Sequence, residues 1–499
     1  MSNIRRQSII SSVIVYVGFS LGLLNTYLFT REGGFTKAEY GLTGTFVAFA
    51  NIMFSIASLG MPAYIGKFFP YYNSHLPYKK NDQLTWALTI TCVGFLVVTI
   101  AGVAFKNVLI DRIFNNSPEL LQYYYWTFPF GFGYTIYMVL EGYAWQRRKA
   151  VLSNFLKEIV FRFLTTVLIV FTTLHLIRNF SDFIVAYACL YIAIACWLIF
   201  HFISRKQFHF TFSISKVTRR LSRKVVLLCS FVWGGGLVFN IANVFDTIAI
   251  AAVLPNGMAA VAPFTLAQNI SSLMQAPQRA VVSAAAGPLS QAWKDKNMAK
   301  IQRIYHRSSI NQLIFATAMF SMIWLNFEDG IYTFHLQKDY IDAKWVFFYI
   351  GLYKIIDMGT GLNTQIIASS NYWRFEFYSG MILLAIALPL NWKLTQIFQI
   401  QGPAITNLIA FTIYNSIRFV FLYRKFGMQP FDIKTVWTLL LAGGCFFITL
   451  NLFDAYQGFG WMVLRTSFYL VLFIAGMITL KLTPDLQPVV ATIRKRLRM

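Results

Sequence analysis

Six polar side chains recur on one face of an apolar stretch near the middle of the chain. Thr265, Gln268, Ser272, Gln275, Arg279 and Ser283 follow one another at spacings of three or four residues, the repeat of one helix face. The stretch just before it repeats the pattern, with Gly236, Asn240, Asn243 and Thr247 in register and Asp246 beside them. Such faces suit recognition rather than bond breaking. Amides and hydroxyls offer hydrogen bonds, and a guanidinium offers a planar fork that matches an anion. In hydrocarbon a central Arg or Asp costs about 2.5–3.5 kcal/mol, so these groups mark water or a partner. Arg279 on its own could snorkel to a headgroup, but snorkelling leaves the four-turn stripe above it unexplained. The reading is therefore a polar cavity lined by Gln268, Ser272, Gln275, Arg279, Asn240 and Asn243.

Further polar groups sit inside apolar runs. Lys354 and Asp357 are three residues apart and are expected to form an ion pair within one helix. Together with Asp246 they are the candidates for coupling to a cation, H⁺ or Na⁺. Glu141 is expected to pair with Arg147 or Arg148. Pro277 frees the carbonyl of Leu273 and predicts a kink there. Gly234-Gly235-Gly236 would weaken the preceding span, as at a hinge or broken segment. The five cysteines (Cys92, Cys189, Cys196, Cys229 and Cys445) all fall in apolar runs without metal-ligand spacing and read as packing residues. No metal or organic cofactor is expected.

The elements that must carry these residues follow from composition. The 499-residue chain is 57% hydrophobic and 12% charged, about half the charged fraction of a soluble protein. Its net charge of +24 would suit a nucleic-acid binder, but a chain this apolar excludes that class. About fourteen runs are long enough to cross ~30 Å of hydrocarbon as helices: roughly 9–29, 40–61, 83–105, 122–143, 153–175, 183–203, 226–252, 262–285, 308–327, 345–368, 376–398, 402–422, 435–452 and 462–481. The first is too long for a cleaved leader and is read as a helix. With the N-terminus inside, most of the 43 Lys and Arg fall in cytoplasmic loops, including the tail residues Arg494, Lys495, Arg496 and Arg498. Arg162, Arg279, Lys354 and Arg418 are among the cations that fall within spans.

The fold class is thus all-α and polytopic, with two six-helix lobes around a central cavity and two extra C-terminal helices. The expected division is 1–203 for the first lobe, 204–225 for a basic inter-lobe loop, 226–424 for the second lobe and 425–499 for the last two spans and tail. The loop carries Arg205, Lys206, Lys216, Arg219, Arg220, Arg223 and Lys224, which also suits anchoring to anionic lipid. A second cytoplasmic element, 288–306, reads as an interfacial amphipathic helix. Trp293, Met298 or Ile301, and Tyr305 would face lipid, opposite Lys294, Lys296, Lys300 and Arg303. There is no Walker lysine loop, so ATP is not a direct energy source.

Two stretches resemble a known family. Ser58-Leu59-Gly60-Met61-Pro62 with Lys67-Phe68-Phe69-Pro70 is similar to the second-span exit of Wzx-type lipid-linked oligosaccharide flippases, in the multidrug/oligosaccharidyl-lipid/polysaccharide exporter superfamily. Pro277-Gln278-Arg279-Ala280, then Gly287-Pro288-Leu289-Ser290 and Ala292-Trp293-Lys294, resembles the eighth-span exit of that family. The resemblance implies two lobes that alternate between inward-open and outward-open states. Arg279 would meet the diphosphate of a polyprenol-linked glycan, and Lys67 a headgroup at the cytoplasmic rim. It implies the bacterial cytoplasmic membrane with both termini inside, the bilayer and the polyprenyl-diphosphate-linked glycan as partners alongside polysaccharide polymerase machinery, and no nucleic acid.

Three rival readings remain. A lipid II flippase of the same superfamily would show several cavity arginines. A drug/cation antiporter would favour an acidic cavity. A membrane glycan polymerase or ligase would need external catalytic residues; Glu328, Asp329, His335, Asp339 and Asp342 in 326–344 are the candidates.

Overall fold

The computed structural model describes residues 3–108, 114–147, 149–372 and 374–483. The basic tail and Arg148 lie outside the described residues, as does the Asn243 side chain. Helices follow one another along the described chain, which contains no β-strand. They are α1 Asn3–Thr30, α2 Lys37–Ala57, α3 Met61–His75, α4 Gln83–Ala104, α5 Pro118–Tyr123, α6 Thr127–Gln146, α7 Ala150–Asn154, α8 Phe161–Thr173, α9 Phe180–Ser204 and α10 Lys216–Val253. There follow α11 Gly257–Ser272, α12 Ala276–Lys294, α13 Met298–Thr333, α14 Ala343–Gly359, α15 Asn363–Ser369, α16 Arg374–Phe398, α17 Gly402–Phe426, α18 Ile433–Phe453 and α19 Phe459–Thr479. The protein is an all-α, multi-pass membrane protein. Among the described residues, seven stretches are long and apolar enough to cross a bilayer by length and composition, one of them the Arg374–Phe426 stretch that holds both α16 and α17. The other apolar runs also fall on helices, but on shorter, broken or more polar ones.

Residues 1–265 with 395–399 form one compact unit, and residues 266–394 with 400–499 another. In the first unit α6 packs along α2 and α9, and α10 packs on α2 and α3. Gly133 lets α6 touch the backbone of α9 at Ile192, and Gly41 lets α2 touch the Met258 carbonyl; a Cβ at either place would overlap those atoms. The chain leaves α2 through Gly60, whose left-handed φ of 75° opens α3. Stacked rings fill the α6–α8–α9 interior, including Phe161 on Tyr191 at 4.3 Å and Phe130 on Tyr187 at 5.1 Å.

In the second unit α13 is the central post, against α12, α14, α18 and α19. Arg465 of α19, 6% exposed, donates to the carbonyls of Leu325 and Tyr456, each at 2.7 Å, and lies 3.7 Å from Asp329. The other Asp329 oxygen accepts from Gly458 N–H and Thr333 Oγ1, both at 2.9 Å. This lock ties the α18–α19 hairpin to α13. Arg465→Leu is expected to cost about 1.5–3 kcal/mol, the value of hydrogen bonds from a charged donor. Limited proteolysis should then cleave the 453–459 connection faster; an unchanged cleavage rate would refute the lock.

Several expectations change here. The span at 153–175 is interrupted by a π-helical turn, Phe155–Val160. The Gly234–Gly236 triplet does not break its helix: α10 is continuous, because its backbone bonds are internal and hydrocarbon offers no alternative partners. The region 288–306 is not one interfacial helix. α12 ends at Lys294, Lys296 turns with φ of 54°, and α13 starts at Met298 with Asn297 Oδ1 accepting from Lys300 N–H at 2.9 Å. Ile301 and Tyr305 are fully buried against Leu289, Ala292, Ile366 and Leu422. Their apolar stripe faces protein, and a helical repeat cannot distinguish a protein neighbour from lipid.

Candidate functional site

The polar stripe of 265–283 is carried by a broken helix. α11 ends at Ser272, a 3₁₀ turn covers Leu273–Gln275, and α12 restarts with Pro277 in its first turn. The kink predicted at Leu273 falls on this 3₁₀ turn, through which the backbone stays right-handed helical. Proline tolerates the restart because its missing N–H would be unpaired in a first turn anyway. Arg279 is exposed one turn into α12, while Gln268, Ser272 and Gln275 are half-buried. Ser272 Oγ donates to the Asn269 carbonyl at 2.7 Å, so it serves its own helix in this state.

Ser271, fully buried, accepts a 3.1 Å hydrogen bond from Lys354 Nζ of α14. Lys354 is 4% exposed, and its ammonium feels the charges of both Arg279 and Asp357. Lys354 and Asp357 do not form the ion pair that their spacing suggested. Asp357 accepts from Gln278 Nε2 and from Asn415 Nδ2, each at 3.1 Å. Residues three apart on a helix are only neighbours on its surface; groups on α12 and α17 approach the carboxylate more closely.

From Asp357 the network runs inward. Asn415 Oδ1 accepts from Asn363 Nδ2 at 2.8 Å and Thr360 Oγ1 at 3.1 Å. Thr364 Oγ1 donates to Asn363 Oδ1 at 3.1 Å and accepts in turn from Arg418 Nη1. Arg418, with no exposed surface, pairs with Glu376 at 2.5 Å, donates to Ser379 at 3.2 Å and stacks its guanidinium 3.8 Å from the Tyr414 ring centre. A chain of hydrogen bonds thus joins Gln278, next to the exposed Arg279, to a wholly buried arginine on α17. The sequence marks Arg418 only as one of the cations within spans. The signal was available: Asn407, Asn415 and Arg418 share a helix face, and a mid-span arginine needs partners.

In the first unit, Asp246 and Thr247 are buried, at 4% and 6% exposure, and Asn240 is half-buried. Lys67 is exposed on α3. A second charge cluster lies on the π-helical turn. Glu158 pairs with Arg162 at 2.9 Å, and Lys157 with Glu141 at 3.5 Å. Glu141 therefore does not pair with Arg147, which donates instead to Asn73 Oδ1 at 3.1 Å, the Tyr143 hydroxyl and the Gln207 carbonyl. Lys157 reaches Glu141 from the next span segment, a proximity that sequence distance conceals. Among the candidate external catalytic residues, Glu328 is paired with Lys344 at 2.6 Å and Asp329 belongs to the Arg465 lock.

The sequence from residue 4 to residue 293 matches the family described as polysaccharide biosynthesis protein, a span that includes both α3 motifs and the α12 motif. The chain belongs to the polysaccharide biosynthesis protein family. No curated relative matches the sequence significantly. Among solved structures, one described as lipid II flippase MurJ in an inward closed conformation aligns with a TM-score of 0.73 at 16% identity, covering 95% of this chain and 99% of that one. An inward-facing multidrug resistance MATE family transporter of the MOP superfamily aligns with a TM-score of 0.63, also at 16% identity, over 83% of this chain and 97% of the other. At these identities the likeness establishes the fold: this family member is built as those transporters are. A membrane transporter fold in a polysaccharide biosynthesis family frames the reading of Arg279 and its network.

Proposed function

We propose that this protein flips a polyprenyl-diphosphate-linked oligosaccharide from the cytoplasmic to the outer leaflet of the bacterial cytoplasmic membrane, for export of a surface polysaccharide such as O-antigen, capsule or exopolysaccharide. The observation that carries the reading is Arg279, exposed at the restart of a broken helix among Gln268, Ser272 and Gln275. A diphosphate and sugar hydroxyls must both be desolvated to cross ~30 Å of hydrocarbon. A guanidinium offsets that cost for the phosphates, and amides and hydroxyls do so for the sugars. The polyprenyl tail stays in lipid, and the protein carries its substrate without covalent chemistry. Both termini lie in the cytoplasm, as the distribution of Lys and Arg supports. Coupling to H⁺ or Na⁺ runs through Asp246, Lys354 or Asp357 in this reading. The polymerase that extends the glycan works on the product side.

Deleting the gene tests the proposal. Lipid-linked glycan is expected to accumulate on the cytoplasmic leaflet, measured by its accessibility to an impermeant sugar oxidant in sealed inside-out vesicles. Unchanged glycan with lost dye efflux would replace the flippase by an antiporter.

A further inference from the structure

The basic loop is not spent on the substrate path just described, and its geometry is specific. Only 205–215 is non-helical; from Lys216 the chain is already in α10. The non-helical part is bolted to the first unit through its backbone. The Tyr78 hydroxyl donates to the Phe208 carbonyl at 2.8 Å, Thr211 N–H donates to Thr85 Oγ1 at 3.2 Å, and Ser215 N–H donates to Asp82 Oδ2 at 2.9 Å. Thr218 Oγ1 donates to the same Asp82 oxygen at 2.7 Å and meets the Tyr72 hydroxyl, to which Tyr64 donates at 2.8 Å. Burial holds the Tyr64 hydroxyl well above the ordinary tyrosine range, so it stays a donor.

Fastening the backbone turns the side chains outward. Phe208 is buried, but Phe210, Phe212 and Ile214, at alternate positions, are 47%, 67% and 56% exposed. The next two helical turns, ~12 Å long, present Lys216, Arg219, Arg220, Arg223 and Lys224 to solvent. Immediately beyond, Val226, Leu227 and Phe231 are again more than 60% exposed, as lipid-facing residues are. Lys79, Lys80, Arg205 and Lys206 are exposed on adjoining segments. The only carboxylate in 61–82 or 204–231 is Asp82, which is fully buried. These segments therefore alternate apolar wedge, cationic band and apolar face, and they supply no exposed carboxylate of their own.

We propose that 208–224 is a docking surface for the anionic phospholipid headgroups of the cytoplasmic leaflet. Phe210, Phe212 and Ile214 enter the headgroup–acyl boundary, and the five basic residues of α10 bind the phosphates. The choice of leaflet rests on the orientation given under the proposed function; the headgroup chemistry does not. Bilayer phospholipid is the occupant, rather than the diphosphate carrier, because the surface is a band of separate charges with an apolar wedge, and its exposed hydroxyls are engaged locally, Thr211 with Ser213 at 3.0 Å and Ser222 with the Arg219 carbonyl at 3.1 Å.

The test uses the purified full chain in detergent micelles doped with equal parts phosphatidylcholine and phosphatidylglycerol, with the co-purifying lipid quantified by mass spectrometry. Wild type is expected to enrich phosphatidylglycerol about tenfold. The combined Lys216→Gln, Arg219→Gln, Arg220→Gln, Arg223→Gln and Lys224→Gln variant should lose that preference, and Phe210→Ser with Phe212→Ser should reduce total lipid retained. If the combined variant does not fold, wild type at about 1 M salt, where screening acts within ~3 Å, should lose the preference instead. Equal retention of the two lipids by wild type overturns the proposal. So does displacement of the enriched lipid by farnesyl diphosphate, which would make the surface part of the carrier's path. Arg279→Gln should keep the enrichment, so a failure of the flippase reading leaves this result standing and the converse.

Discussion

Replacing Arg418 by Met should produce the largest loss of stability of any single substitution in the second unit. The guanidinium has no exposed surface and serves Glu376, Ser379, Thr364 and the Tyr414 ring together. Removing one partner of a buried ion pair costs about 3–5 kcal/mol, mainly because the other is left uncompensated. Glu376 keeps 31% of its side chain exposed, which places the expected loss near the lower end of that range. Thermal unfolding in detergent measures it. Arg418→Lys should recover little, since an ammonium cannot hold the planar contacts to Glu376 and Ser379 at once. Adding Glu376→Gln to Arg418→Met should recover part of the loss, and failure to do so would show that the pair is not the seat of the effect. Because the same arginine closes the chain that orients Asp357 and Gln278, transport should fall at temperatures where the protein is still folded.

Arg279→Ala should show the opposite combination, loss of transport with stability unchanged. Its side chain is exposed, so truncation leaves no buried cavity. The charge-assisted contacts that it would make to a diphosphate are worth about 1.5–3 kcal/mol, a roughly tenfold to hundredfold loss of substrate affinity. Surface polysaccharide should disappear while the protein remains in the membrane at wild-type abundance. Normal polysaccharide in that variant would overturn the site. Arg279→Lys should retain partial export, since charge survives and the bidentate geometry does not.

The helices and their approximate places were legible because the requirement that creates them is local: a run of apolar residues in lipid must close its own backbone hydrogen bonds. The break at Leu273–Gln275 was legible for the same reason, through Pro277. Partners were not. Lys354 looks like a mate for Asp357 until α11 brings Ser271 to the lysine and α17 brings Asn415 to the carboxylate. Glu141 looks adjacent to Arg147 until α6 meets the π-helical turn and Lys157 arrives. Tyr305 and Ile301 look like lipid anchors until α12 folds back over them. In each case the periodicity identified which face was special, and the tertiary fold decided what that face met.

The π-helical turn has a mechanical consequence. The extra residue in that turn places Glu158 and Arg162 opposite Gly18 and Gly22 of α1. A Cβ at Gly18 would lie 2.7 Å from the Glu158 side chain and one at Gly22 2.9 Å from the Arg162 guanidinium. Arg162 also bonds the Gly18 carbonyl, and Asn25 Nδ2 bonds the Arg162 carbonyl at 2.9 Å. Turning α1 by one residue, ~100° about its axis, would drive a larger side chain into each notch. The two segments are keyed like a shaft and its collar: they can travel together, but neither can rotate within the other.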